Sequence, residues 1–314
     1  MKSLLLMLLF VCASVTLSAQ SKQTVYDFLY LPVSAHSAAL GGDQPALIED
    51  DENLIFVNPA LLSSVTDKTI ALSYMNYMQG VNMGAAAFNR AVGQKGTWAA
   101  SAQYINYGKM KETDENNNDL GDFSAHDVAL SGYFSYLLAN KLAGGITAKW
   151  IMSYIGSYNS LAVGVDLGLN YYDPEKEWSL SAVAKNLGGE LKAYTDNFES
   201  MPFDVQVGVS KRFVGSPFRL SASLVDLNHE NYAFWYHAVV GADLLLSESL
   251  WVGIGYNARR AHQMKIESTD GSSSHGAGLS FGGGINLERF KLNISYAKYH
   301  VSSNSLLLNL AYTL

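Results

Sequence analysis

The chain has 314 residues and a formal net charge of −7, which disfavours a general nucleic-acid binder. Hydrophobic residues make up 48% of it but charged residues only 16%, below the roughly 25% of an average soluble protein. Gly (27) and Tyr (19) are abundant, Pro (6) is scarce, and the one cysteine, Cys12, excludes intrachain disulfides.

Residues 1–19 read as a secretory signal peptide. Lys2 supplies the positive start, residues 4–11 the apolar run, and Ala19 before Gln20 the cleavage site. The run is shorter than the roughly 20 residues a membrane helix needs. Val11 stands before Cys12 where a lipoprotein site would want a small residue. Residues 20–67 are then expected to form an N-terminal hatch or plug, and residues 68–314 an outer-membrane β-barrel.

Residues 35–62 are unlike the rest. They hold acids in clusters, Gly41-Gly42, Pro45 and Asn58-Pro59-Ala60, with neither a helical stripe nor strand alternation. After Thr66 the sequence becomes a series of segments about ten residues long with alternating polarity, the pattern of a transmembrane β-barrel. Leu161, Val163, Val165, Leu167, Leu169 and Tyr171 share one face, opposite Ala162, Gly164, Asp166, Gly168 and Asn170. Residues 203–212 and 290–297 alternate in the same way. A strand places successive side chains on opposite faces, so each has one oily face and one small or polar face.

A soluble sandwich would alternate too. Aromatic residues near segment ends favour the membrane instead, as interfacial girdles: Trp98, Tyr107, Tyr133, Tyr136, Trp150, Tyr171, Trp178, Trp235, Trp251 and Tyr256. The predicted fold is all-β, a 14-stranded antiparallel barrel with a small N-terminal hatch in its lumen. The predicted strands are 69–78, 81–91, 96–108, 123–138, 141–153, 159–172, 177–188, 203–214, 217–228, 233–246, 250–261, 275–287, 289–301 and 304–314. The longest connections, 109–122, 189–202 and 262–274, all fall on odd-numbered hairpins, and the even ones are short. That parity places the long loops outside and the hatch at the periplasmic entrance. Leu306, Leu308, Leu310, Tyr312 and Leu314 share a face, as expected of a last strand that closes on the first.

The run 34–42 (SAHSAALGG), the acids after it and residues 56–62 (FVNPALL) resemble the hatch of FadL-type transporters of hydrophobic compounds. Residues 24–29 and 31–35, with Val183-Ala184-Lys185-Asn186-Leu187-Gly188-Gly189, are closer to the PorV/PorQ branch of that superfamily. This resemblance implies an outer-membrane component of type IX secretion in a Bacteroidetes-type Gram-negative bacterium. It also implies outer-membrane lipid and the surface-attachment proteins PorU, PorZ and PorV-like barrels as partners, PorZ foremost. The rival reading is a FadL-like transporter, for which Gly282-Gly283-Gly284 would kink the wall.

Asn58-Pro59-Ala60 reads as a structural turn in preference to a hinge or latch, because Pro59 fixes φ and pushes Asn58 toward extended geometry. Gly41 and Gly42 supply freedom at a tight bend. Hatch acids Asp50 and Asp51, beside Glu49 and Glu52, are candidate partners for the lumen-facing bases Lys149, Lys185, Arg212, Arg219 and Lys291, since buried charges need partners. The alternative leaves the acids in periplasmic water.

No catalytic, metal or cofactor site is expected. Residues 114–119 have alternating oxygen ligands, but Asp119 stands where a calcium loop needs Gly. Ser295 and Lys298 match a Ser-x-x-Lys motif, yet on a strand they point to opposite faces.

Overall fold

In the computed structural model the period-two segments form fourteen antiparallel strands closed into one barrel. The structure describes residues 24–314 apart from 79, 230–232, 248, 265, 269–270, 274–275 and 301–302. The expected signal peptide, with Lys2, Cys12 and Ala19, lies outside the described residues.

The wall strands are β1 (Thr69–Met78), β2 (Val81–Val92), β3 (Gly96–Thr113), β4 (Asp119–Ala139), β5 (Leu142–Ile155), β6 (Tyr158–Asp173) and β7 (Trp178–Lys192). They continue as β8 (Asp204–Arg212), β9 (Phe218–Leu224), β10 (Ala238–Leu245), β11 (Leu250–Asn257), β12 (Leu279–Asn286), β13 (Phe290–His300) and β14 (Ser303–Thr313). β1 pairs with β14 from Thr69↔Thr313 to Asn76↔Leu306. That seam leaves no open edge, which lipid could not solvate.

Alternation sets what each face does. Leu167, Leu169, Leu180, Leu292 and Ile294 point outward and are exposed, whereas Ala162, Asp166, Asn170, Asn293 and Ser295 are buried inside. Trp98, Tyr136, Trp150, Tyr171, Trp178 and Tyr256 are outward, as expected of girdles. Four of the expected girdle aromatics are not on the wall's outer face, and one of them, Trp235, stands on the 3-10 turn Phe234–His237 between β9 and β10. Tyr133 and Trp251 are buried in the lumen, and Tyr107 bonds inward to Asp127 at 2.7 Å.

The wall is uneven. β3 and β4 run for 18 and 21 residues, while β8 to β12 run for 7 to 9. On the low side the connections replace predicted strand. β9 stops at Leu224 because Asp226 adopts φ 58, a left-handed conformation that ends the ladder. β11 stops at Asn257, whose side chain caps a short helix, Ala258–Gln263. The wall kink that the rival transporter reading would draw from Gly282-Gly283-Gly284 is absent, since both ladders of β12 run through these residues without a register shift. A Cβ at Gly282 would strike Ala39 of the hatch, and one at Gly284 would strike Trp251 and Asn293. These glycines make room for interior groups.

The hatch spans the lumen and is not confined to its periplasmic entrance. Thr24 bridges Ser200 in the external β7–β8 loop, and Thr66 ends the hatch at the opposite end, beside β1. Between them lie the helix α1 (Ala35–Ala39) and three 3-10 turns, Asp27–Tyr30, Glu52–Phe56 and Pro59–Ser64. Leu40, Leu47, Leu54 and Leu61 form a small core of the hatch itself. Tyr26, Phe28, Leu29 and Val33 pack on Met75, Ile105, Ile151 and Leu307 of the wall.

Candidate functional site: the hatch seat and the external chamber

The hatch fits because the facing wall lacks side chains. A Cβ at Gly145 would collide with Pro59, at Gly168 with Asn58, at Gly208 with Pro45, and at Gly241 and Gly255 with Leu40. Backbone can therefore lie directly on wall. Hydrogen bonds then tie the hatch to β1, β4 and each of β6 to β14. Ser73 donates to Asn53 and Ser135 to the Ala60 carbonyl. Gln206 donates to Asp43, Ser223 to Gln44, Asn257 to the Gly41 carbonyl and Ser280 to the Ala39 carbonyl. Asn309 receives the Ala35 N–H and donates to the Val33 carbonyl.

Asn58 works as a cap and a tie. Its side chain accepts the Ala60 N–H at 2.9 Å and donates to the Pro45 carbonyl at 3.0 Å and to Ser181 at 3.2 Å. Pro59 opens the turn that follows. Gly41 and Gly42 have φ 108 and 115, which other residues adopt only under strain.

The strongest polar lock joins α1 to β9 and β10. Arg219 and Asp243 are cross-strand neighbours facing inward. Arg219 Nη2 lies 2.7 Å from Asp243 and 2.6 Å from Glu49. His36 completes the cluster, with Nε2 3.1 Å from Asp243 and Nδ1 2.6 Å from Glu49. The second contact lies off the N–H axis, so it is electrostatic more than a hydrogen bond. The imidazole stacks on Trp251 at 3.5 Å between centroids, and Trp251 donates to Asn293 at 3.0 Å. Two cations thus face two carboxylates away from water, where such pairing is strongest. Burial opposes the charge on His36, but Glu49 and Asp243 outweigh it and raise its pKa. Burial also opposes the charge on Glu49, and Arg219 with His36 hold it well below the usual carboxylate range.

The other expected contacts divide. Lys291 lies 2.6 Å from Asp50, which also accepts from Thr66. Asp50 is 40% exposed, so this pair is weaker than the Arg219 cluster. Asp51 meets no wall base among the described residues. It accepts from Ser34 and Asn53 within the hatch, and burial raises its pKa despite them. Lys149 turns to Asp166 of its own wall at 2.8 Å and to Asn186 at 2.6 Å. Lys185 is buried beside its ladder partner Asp204 and reaches no hatch acid within ion-pair distance. Arg212 is exposed at the periplasmic mouth, beside Glu177, and makes no ion pair among the described residues. Lys149 misses the hatch acids because it lies beside apolar hatch residues, Leu29, Leu31, Val33 and Phe56.

Sequence reasoning passed over His36 and Asp243 and set Trp251 in the outer girdle. The signal for the latter two was parity, since Trp251 shares its face with Gly253, Gly255 and Asn257. His36 had none, lying in a segment without a period.

Glu52 is fully buried, and neither carboxylate oxygen has a hydrogen-bond partner among the described residues. Burial, then Asp51 and Asp50, push it up to about 8 from an ordinary 4.5. A raised carboxyl contributes stability that is full below its ordinary value and lost as pH rises through the folded one. The hatch should therefore loosen as pH rises from 4.5 to about 8. Protease cleavage within residues 24–65 should rise several-fold over that range and stay nearly flat in Glu52→Gln. An unchanged rise in the variant would assign it elsewhere, His36 first, whose sign is the same.

Above the hatch is a chamber of about 420 Å³. It is lined by external strand ends (Tyr77, Asn257, Tyr299), the Ala258–Gln263 helix, Asp226, and the hatch at Tyr30 and residues 41–43. Its floor is the hatch. A smaller recess of about 120 Å³, at Ile48, Arg212 and Arg219, lies on the periplasmic side and shares no lining residue with it.

The architecture is a closed fourteen-strand antiparallel wall around an N-terminal hatch. Among solved structures it is similar to the Pseudomonas putida toluene transporter TodX, with a TM-score of 0.60 and 11% identity over 91% of this chain and 99% of that one. It is also similar to the monoaromatic hydrocarbon channel CymD, with a TM-score of 0.57 and 12% identity over 90% and 97%. No family model and no curated protein matches the chain.

Proposed function

We propose that this protein is a sealed outer-membrane barrel that anchors a cell-surface protein assembly, a non-enzymatic component of type IX secretion. The observation that carries the reading is the hatch seat. A segment hydrogen-bonded to β1, β4 and β6 to β14, resting on wall glycines, separates the external chamber from the periplasmic recess. A rigid plugged barrel suits an anchor, with contacts on the external loops 193–203, 225–237 and 258–278, where binding concentrates on a rigid scaffold. The resemblance of residues 24–35 to the PorV/PorQ branch supplies the secretion system, with PorZ as first partner and PorU and PorV-like barrels beside it.

Deleting the gene should leave proteins with type IX targeting domains unprocessed or shed, and the tagged barrel should co-purify with PorZ. The second reading is a channel for small hydrophobic compounds, favoured by the likeness to TodX and CymD. Normal surface arrival of cargo together with lost uptake of an aromatic hydrocarbon would replace the first reading with the second.

A further inference from the structure

The external chamber carries more charge than either reading uses. Arg259 projects from the Ala258–Gln263 helix with its side chain only 13% exposed. Its guanidinium nitrogens lie 3.9 Å from Asp43, 3.9 Å from Asp204 and 3.6 Å from Asp226. These distances exceed hydrogen-bond length, and Arg259 makes no hydrogen bond among the described residues. One cation thus stands at arm's length from three carboxylates. The neighbouring Arg260 also lines the chamber and is held back by the Ala277 and Gly278 carbonyls, to which its Nε and Nη2 donate at 2.7 and 3.2 Å. Asp226 is also held by the His229 imidazole, and Asp43 by Gln206.

The walls between these charges are aromatic. Tyr30 lies under Arg259 at 5.3 Å, and Tyr299 under Arg260 at 4.5 Å. Tyr77 tilts against Tyr299. The pocket already holds two cations over π faces, a geometry whose attraction grows as water is excluded. A volume of about 420 Å³ is within the range of small-molecule sites, roughly 300–1,000 Å³. The floor, at residues 41–43, is fixed by Gly41 through its carbonyl bond to Asn257.

We propose that the chamber is a blind binding site for an organic cation, an ammonium or guanidinium group on a short apolar chain. The cationic head is drawn to Asp43 and Asp226, where it completes the neutralisation that Arg259 leaves unfinished. The chain lies along Tyr30, Tyr77 and Tyr299. This inference does not rest on the anchor or the channel reading.

The test is calorimetric titration of the purified full barrel in detergent with three probes: hexylammonium, hexanoate and toluene. Hexylammonium should bind saturably, and hexanoate and toluene at least tenfold more weakly. Asp43→Asn with Asp226→Asn should weaken hexylammonium tenfold or more, while Arg259→Gln should tighten it several-fold by removing the resident competitor. The heat-dependent gel shift of the folded barrel identifies variants that have kept the fold. Opposite signs for the two variants are the mark of the mechanism, because general damage would weaken binding in both. Absent hexylammonium binding, tighter binding of hexanoate or toluene, or weakened hexylammonium binding in a folded Arg259→Gln barrel would each overturn the assignment.

Discussion

Replacing Arg219 by methionine should cost the folded barrel roughly 3–5 kcal/mol, the usual loss when one partner of a buried charge cluster is removed. Methionine keeps most of the packing but leaves Glu49 and Asp243 with only His36 between them. Those two carboxylates sit on different bodies, one on the hatch and one on the wall, so their repulsion acts directly on the seat. The measurement is the urea midpoint of the barrel refolded into lipid vesicles, with hatch proteolysis beside it. Adding Asp243→Asn to the same chain should recover part of the loss, because one fewer charge is then buried. A cost below about 1 kcal/mol would mean that water reaches the cluster and that it behaves as a surface pair.

The second large effect is on conductance. Gly241→Val with Gly255→Val places two side chains where Leu40 and the Gly41 nitrogen now lie. Overpacking costs typically about 1–3 kcal/mol per site. Here the relief is open, since the hatch can move and the wall cannot. Both residues face the lumen, so the β9–β10, β10–β11 and β11–β12 ladders can persist. The wild-type barrel should be electrically silent in planar bilayers, and the double variant should show discrete openings. A wild type that conducts would sink the sealed-barrel reading. A silent variant with a protease-resistant hatch would show that α1 adapts to the added volume.

The wall was legible because its physics is periodic. Outward leucines and inward small residues repeat every second position, so β1 emerges at Thr69–Met78, the predicted span. The same parity identifies Arg219 and Lys291 as inward bases. It fails where the backbone leaves the ladder. Val225 and Leu227 flank Asp226 with the spacing of a strand, yet the left-handed Asp226 turns the chain away from the sheet. The hatch was legible only as an exception to the pattern. Its partners are fixed by tertiary placement: His36 and Asp243 are 207 positions apart. Asp51 shows the converse, since its position among acids gave no hint that Ser34 and Asn53 satisfy it.

The path of the hatch has a consequence for how the molecule is made. Thr24 stands at the outer mouth and Thr66 at the inner end, so this segment runs the length of the bore. A ring closed without it would leave Arg219 and Asp243 facing an empty bore, so the sheet is expected to wrap around the segment and close afterwards. The final strand carries the means to check this, since Asn309 on β14 grips both Val33 and Ala35 while β14 zips to β1. Closure of the ring and capture of its filling are then one event. A chain lacking residues 24–65 should therefore stall with its last seam unzipped.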